Sequence, residues 1–172
     1  MCLFLFTVWF WVSPRTSLSQ WPSFRGSDHC TFPAIEKPKL ARRLLFCFLT
    51  GNEDMHLKNF SVIVRDNVVT LSPAYDLLNS TLVLEKAEEE TALPLNGKKK
   101  NLTHKLWLDY FCSERLGLPD RQIESILADF RKAHPTWHQF IDRSFLPEPK
   151  KVAYHDLLDE RYGRLEIGSA NS

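Results

Sequence analysis

The sequence predicts an α+β fold, mainly helical with one small β-hairpin. Three observations carry that expectation. Apolar residues recur at helical spacing in several stretches between Lys39 and Leu165. One Val/Ile-rich segment, Ser61 to Leu71, instead alternates weakly around Asp66-Asn67, a pair suited to a tight primed turn. Gly and Pro fall between these segments, where elements start and stop.

Met1 to Val12 is an apolar run containing Trp9 and Trp11. It is shorter than the roughly 20 residues that span a bilayer. It also lacks the basic opening and the small-residue cleavage site of a secretory signal. It reads as a strand or helix packed on the domain, or as sequence standing in place of a lost N-terminal half. Ser13 to Pro38 is rich in Ser, Pro and Arg and has no period, so it reads as loop. The organisation expected is an irregular segment over 1–38 and a folded domain over 39–168.

Within that domain, Lys39 to Thr50 carries Leu40, Leu44, Leu45 and Phe48 on one face, with Pro38 at its start and Gly51 at its end. Two short strands, Ser61 to Arg65 and Val68 to Leu71, form the hairpin, and Thr81 to Leu84 reads as a third. Glu85 to Glu90 and Lys98 to Lys100 read as solvated charge, and Asn96-Gly97 as a turn. Thr103 caps a helix carrying Leu106, Trp107, Tyr110 and Phe111, which Gly117 ends. Pro119 starts the next, with Ile123, Ile126, Leu127 and Phe130 in its stripe. His134-Pro135 stops it, and Trp137, Phe140 and Ile141 continue in a separate helix. Pro147 and Pro149 mark a further break before a last helix from Val152 to about Leu165. The aromatic residues of these helices read as core, and 166–172 as a frayed tail.

At 172 residues the chain is one domain or a fragment of a larger one, and 44% hydrophobic residues suffice for a core. A formal charge of +1 gives no field that selects nucleic acid or an acidic membrane as partner. Cys2, Cys30, Cys47 and Cys112 lack C-x-x-C spacing and a His pair in ligand register. They read as reduced, mostly buried thiols of a cytoplasmic protein, which argues against a disulfide scaffold and a zinc site.

The polar, metal-capable groups crowd into one stretch, Gly51-Asn52-Glu53-Asp54-Met55-His56-Leu57-Lys58-Asn59, with Tyr75-Asp76 one hairpin later. Asp54 followed by Asn59 has the Asp-x4-Asn spacing of a kinase catalytic loop. There one carboxylate accepts the proton of the incoming hydroxyl, while an amide oxygen and a second carboxylate hold the metal. On spacing alone, the bracing of a turn explains Asp54 and Asn59 equally well.

The segments GNEDMHLKNFSV, LSPAYDLL and TALPLNGKKKN, followed by ERLGLP and IDRSFLP, resemble the C-terminal domain of HipA-type serine/threonine kinases, the toxin kinases of bacterial toxin–antitoxin pairs. The resemblance runs from about Leu40 to Leu165 and implies a kinase-like helical lobe. It implies Asp54 as catalytic base, Asn59 and Asp76 as magnesium ligands, and Mg2+ with ATP as cofactor. His56 would orient the loop by hydrogen bonding, and Lys58 would reach a phosphate or stay solvated. A protein substrate and an antitoxin-type DNA-binding partner are implied, with no direct nucleic-acid contact and no membrane. The family's phosphate-covering loop and phosphate-pairing lysine lie on an N-terminal lobe. They have no counterpart here, since Gly26 is the only glycine before Gly51. Activity would then need a separately encoded N-terminal lobe. The alternative is a catalytically inactive lobe that acts as a protein-binding module.

Overall fold

The computed structural model describes residues 30–83 and 89–168. The expectations for Met1 to Val12, Cys2 and most of the acidic run lie outside the described residues. Helix α1 spans Pro33–Leu49 and so begins before Lys39. Pro33 occupies the first turn, where a missing N–H has no intrahelical partner to lose. Pro38, read as the start, lies inside the helix. The turn around it is tied down by Glu36, which is 1% exposed. Its carboxylate accepts the Leu71 backbone N–H at 3.0 Å and Lys39 Nζ at 2.6 Å. Leu40, Ala41, Leu44, Leu45 and Phe48 form the buried face, as the helical spacing predicts.

Strands β1 (Val62–Arg65) and β2 (Val68–Leu71) pair antiparallel, from Val62 opposite Leu71 to Arg65 opposite Val68. Asp66 (φ 50°) and Asn67 (φ 62°) are both left-handed, which makes the primed turn that the sequence signals. The third strand does not form: residues 81–83 make a turn. The backbone N–H groups of Ser80 and Thr81 donate to Gly51 O, at 3.0 and 3.1 Å, instead of to a ladder. Asn96 (φ 47°) and Gly97 (φ 77°) form the expected turn, closed by a bridge between Leu95 and Lys98.

The next helical segment, Leu106–Arg115, is wound as a π-helix and starts without a side-chain cap. Thr103 contributes its carbonyl, to Trp107 N–H at 3.1 Å. Gly117 (φ 67°) ends the segment as expected. Helix α2, Asp120–Asp142, then runs straight through Pro135. A proline there removes the bond to the carbonyl four residues back. Packing outweighs that loss, because Trp137 lies edge-on to Phe46 (5.6 Å between centroids, 79°) and 5.7 Å from Phe130. A break at His134-Pro135 would remove Trp137 from both rings. Phe140, placed in the core by its spacing, is 63% exposed. Helix α3, Glu148–Arg164, has Pro147 just outside it and Pro149 in its first turn.

Helix α1 packs on both α2 and α3, and the π-helix packs on α2. Trp107 sits at the centre, 5.2 Å from the Phe48 ring and 5.7 Å from Phe111. Leu40, Leu45, Met55, Ile126, Leu158 and Leu165 are fully buried around it. The result is α+β, mainly helical with a two-stranded sheet. No described helix is long and apolar enough to cross a membrane.

Candidate functional site

Helix α1 delivers the chain into the polar stretch through Thr50 and Gly51. Gly51 has φ +77°, and a Cβ there would lie 2.7 Å from Leu157 Cδ2 and 2.9 Å from Asn79 Oδ1. Only glycine allows both the backbone and this approach of α3. Asn52, 3% exposed, then reaches across to the second segment. Its Nδ2 donates to Asp76 O at 2.9 Å, and its Oδ1 accepts the Asp54 N–H at 3.2 Å.

Glu53 is buried and fully engaged. Its N–H donates to Ser80 Oγ (2.8 Å), and its carboxylate accepts Thr81 Oγ1 (2.6 Å) and lies 3.6 Å from Arg161 Nη2. Arg161 also donates to Phe48 O at 2.6 Å and stacks over the Phe48 ring at 5.1 Å. Burial holds the Arg161 guanidinium below its ordinary value, while Glu90 and Glu53 push the other way. Helix α3 thus grips the loop through an ion pair taken out of water.

With Gly51, Asn52 and Glu53 fixed, Asp54 faces solvent, its side chain 67% exposed. Its carbonyl accepts the His56 N–H at 2.8 Å and Asn59 Nδ2 at 3.1 Å. Residues Leu57–Asn59 form one 3-10 turn that brings Asn59 back beneath Asp54. Asn59, 7% exposed, also donates Nδ2 to Asp76 Oδ2 at 3.0 Å. Both amide hydrogens are then used, so Oδ1 is the group left to meet a cation. Asp76 has φ 56°, a left-handed backbone unusual for a residue with a side chain. The structure therefore brings Asp54, Asn59 and Asp76 together through one amide.

His56 does not hold the loop by its ring. Its Nε2 lies 4.0 Å from Asp54 Oδ1, and its Nδ1 is buried without a partner. Its backbone does that work, donating to Asp54 O and accepting the Asn59 N–H at 2.9 Å. Lys58 is exposed; its carbonyl accepts Tyr75 O–H at 3.0 Å. Arg43 of α1 donates to Ser72 O, bracing the turn before Asp76. Asn52, Glu53, Arg161 and Arg43 are the supports that sequence reasoning missed. The polar run directly after an apolar helix was the one local signal for the first two. An open groove of about 500 Å³, lined by Glu89, Gly97, Lys98, Lys99, Lys100 and Asn101, shares none of these residues.

Cys30, Cys47 and Cys112 are buried, as expected. The predicted lack of a His pair in ligand register fails, because the unbroken α2 sets His134 and His138 four residues apart on one helix.

Comparison with known proteins bears on the family and the fold. A protein of Sinorhizobium fredii provisionally named kinase Y4dM is 52% identical over 60 residues, 34% of this chain and 14% of that protein. A provisionally named kinase of Haemophilus influenzae is 27% identical over 158 residues, covering 77% of this chain and 46% of its own. The chain thus spans less than half the length of these curated relatives. The fold matches a solved structure of the Shewanella oneidensis toxin–antitoxin complex of HipA, HipB and operator DNA. There the TM-score is 0.64 at 20% identity, over 90% of this chain and 36% of that one. The HipA-like C-terminal domain family itself matches residues 25–137, most of the described fold and the whole stretch from Gly51 to Asp76, and the chain belongs to that family.

Proposed function

We propose that this chain is the base- and metal-bearing lobe of a HipA-type serine/threonine kinase, which passes the terminal phosphoryl group of Mg-ATP to a protein hydroxyl. The observation that carries this reading is the Asn59 amide, which joins Asp54 O and Asp76 Oδ2 across a gap of one hairpin. A turn-bracing role needs the first bond but not the second. In this reading Asp54 accepts the proton of the incoming hydroxyl from its solvent-facing position. Asn59 Oδ1 and the Asp76 carboxylate hold Mg2+, for which hard oxygen donors are suited. The ion, when bound, neutralises charge on the phosphates. Lys58 is exposed at the rim and free to approach a phosphate.

The site needs a second body above it. Leu57, Tyr75, Leu77 and Leu78 flank it and are 40%, 40%, 45% and 46% exposed. Large apolar side chains left around a polar floor mark a contact surface. An N-terminal lobe that covers the nucleotide fits this face, as does the protein substrate. The HipB-bound neighbour supports an antitoxin-type DNA-binding protein as a further partner. The same apolar face favours a second reading, in which the lobe binds protein without catalysis.

The deciding experiment mixes the chain with a HipA-type N-terminal lobe, labelled Mg-ATP and candidate protein substrates. Label should appear in protein hydroxyls, and Asp54→Ala should lower the rate by about a hundredfold or more. An unimpaired Asp54→Ala variant would overturn the base assignment. Absence of both phosphoryl transfer and Mg-nucleotide binding in the mixture would leave the protein-binding module.

A further inference from the structure

We propose that His134, His138 and Asp159 form a binding site for a divalent transition-metal ion of the zinc type, joining α2 to α3. The three residues lie on facing helix positions, and their ligand atoms converge. His138 Nε2 is 3.3 Å from His134 Nε2 and 3.0 Å from Asp159 Oδ1, and His134 Nε2 is 3.1 Å from Asp159 Oδ1. In a tetrahedral zinc site with bonds of about 2.0–2.1 Å, ligand atoms stand roughly 3.3–3.4 Å apart. The observed triangle is close to one face of that tetrahedron. An ion above it would have three protein ligands and one position open to water.

The proton count points the same way. Asp142 Oδ1 lies 2.9 Å from His155 Nε2, and a carboxylate only accepts, so that nitrogen carries the hydrogen. In a neutral His155 ring Nδ1 is then an acceptor, and it lies 2.6 Å from His138 Nδ1. His138 therefore carries its hydrogen on Nδ1, and its Nε2 presents a lone pair. That lone pair faces the Asp159 carboxylate and a second imidazole nitrogen. The hydrogen of a neutral His134, carried on Nε2, bridges to Asp159 and leaves the His138 lone pair beside it; a cation between them satisfies all three atoms. Asp142 and His155 act as the outer support that fixes the ring and tautomer of a ligating histidine. Tyr162 stacks on His134 at 4.0 Å and holds the other ring.

The site is independent of Asp54, Asn59 and Asp76, yet it acts on the same helix. Leu157 and Arg161, which meet Gly51 and Glu53, flank Asp159 on α3. An ion at Asp159 fixes α3 against α2 and so stiffens the back of the loop.

The test uses the whole chain purified without a polyhistidine tag. Calorimetry with Zn2+ should give one site per chain, and Co2+ should give the visible d–d absorption of a four-coordinate nitrogen and oxygen shell. Zn2+ should also raise the thermal midpoint. His138→Ala and Asp159→Asn should lose the site, and His155→Ala should weaken it about 10–100-fold. Asp159 is exposed, so Asp159→Asn should keep the native circular dichroism and separate ligand loss from unfolding. Absence of one-to-one binding, binding unchanged in both ligand variants, or a thiolate charge-transfer band with Co2+ would each overturn the assignment.

Discussion

Replacing Gly51 with alanine tests whether α3 truly sets the loop that carries Asp54 and Asn59. Two costs arise at this position. A left-handed backbone (φ +77°) costs an alanine about 1–2 kcal/mol. The new Cβ would also stand 2.7 Å from Leu157 Cδ2 and 2.9 Å from Asn79 Oδ1. Forcing a methyl group into packed space costs a further 1–3 kcal/mol or so. Gly97 supplies the control, since it has the same φ of +77° and nothing within 4 Å of a built Cβ. Gly97→Ala should therefore show the backbone cost alone. Thermal unfolding followed by far-ultraviolet circular dichroism reads the difference. Gly51→Ala should melt well below Gly97→Ala, by roughly 3–10 °C for a chain of this size. Adding Leu157→Ala should recover part of the steric excess, measured as a coupling in a double-mutant cycle. Equal midpoints for Gly51→Ala and Gly97→Ala, with no coupling to Leu157, would refute the contact between the loop and α3.

Two further predictions rest on burial. Arg161→Ala strands the Glu53 carboxylate, 8% exposed, with Thr81 as its remaining side-chain donor, and should destabilise the fold by about 3 kcal/mol. Arg42→Ala breaks an exposed pair with Asp129 (side chains 42% and 60% exposed) and should cost less than about 1 kcal/mol. Urea titration of both variants checks the contrast, and a similar loss from each would contradict the buried role of Arg161. Burial pushes the Cys47 and Cys112 thiols up to about 12 from an ordinary 9.0, with Arg43 pulling Cys47 partly back. A raised pKa means the folded state keeps protons that the unfolded chain releases. The resulting stabilisation is therefore whole below pH 9.0 and lost as pH rises towards 12. Iodoacetamide at about pH 9 should spare both thiols in the folded chain and label both in urea. Labelling of either in the folded chain would count against their burial.

What the sequence disclosed depended on how local the cause was. The Asp66-Asn67 turn and the Leu40, Leu44, Leu45 and Phe48 stripe follow from adjacent residues, and both appear where the pattern puts them. The spacing of Asp54 and Asn59 is likewise local, and the Asn59 amide does meet Asp54, through its carbonyl. The supports of that loop were not readable, because their partners are remote. Asn52 depends on Asp76, and Glu53 on Ser80, Thr81 and Arg161. Proline misled in a consistent direction. Its local signal is a lost hydrogen bond and a ring clash, together about 3 kcal/mol in a helix interior. Pro38 and Pro135 nonetheless lie inside helices, where Glu36 and Trp137 make distant contacts that the local pattern does not contain. The reading at Pro135 had a chemical consequence. A break there puts His134 at the end of one helix and His138 in another, and the pair disappears from view. With α2 continuous they share a face, and α3 brings His155 and Asp159 against them at the same four-residue spacing. The contact of Trp137 with Phe46 and Phe130 thus does more than complete the core. By carrying the helix past its proline, it places the two imidazoles within reach of one ion.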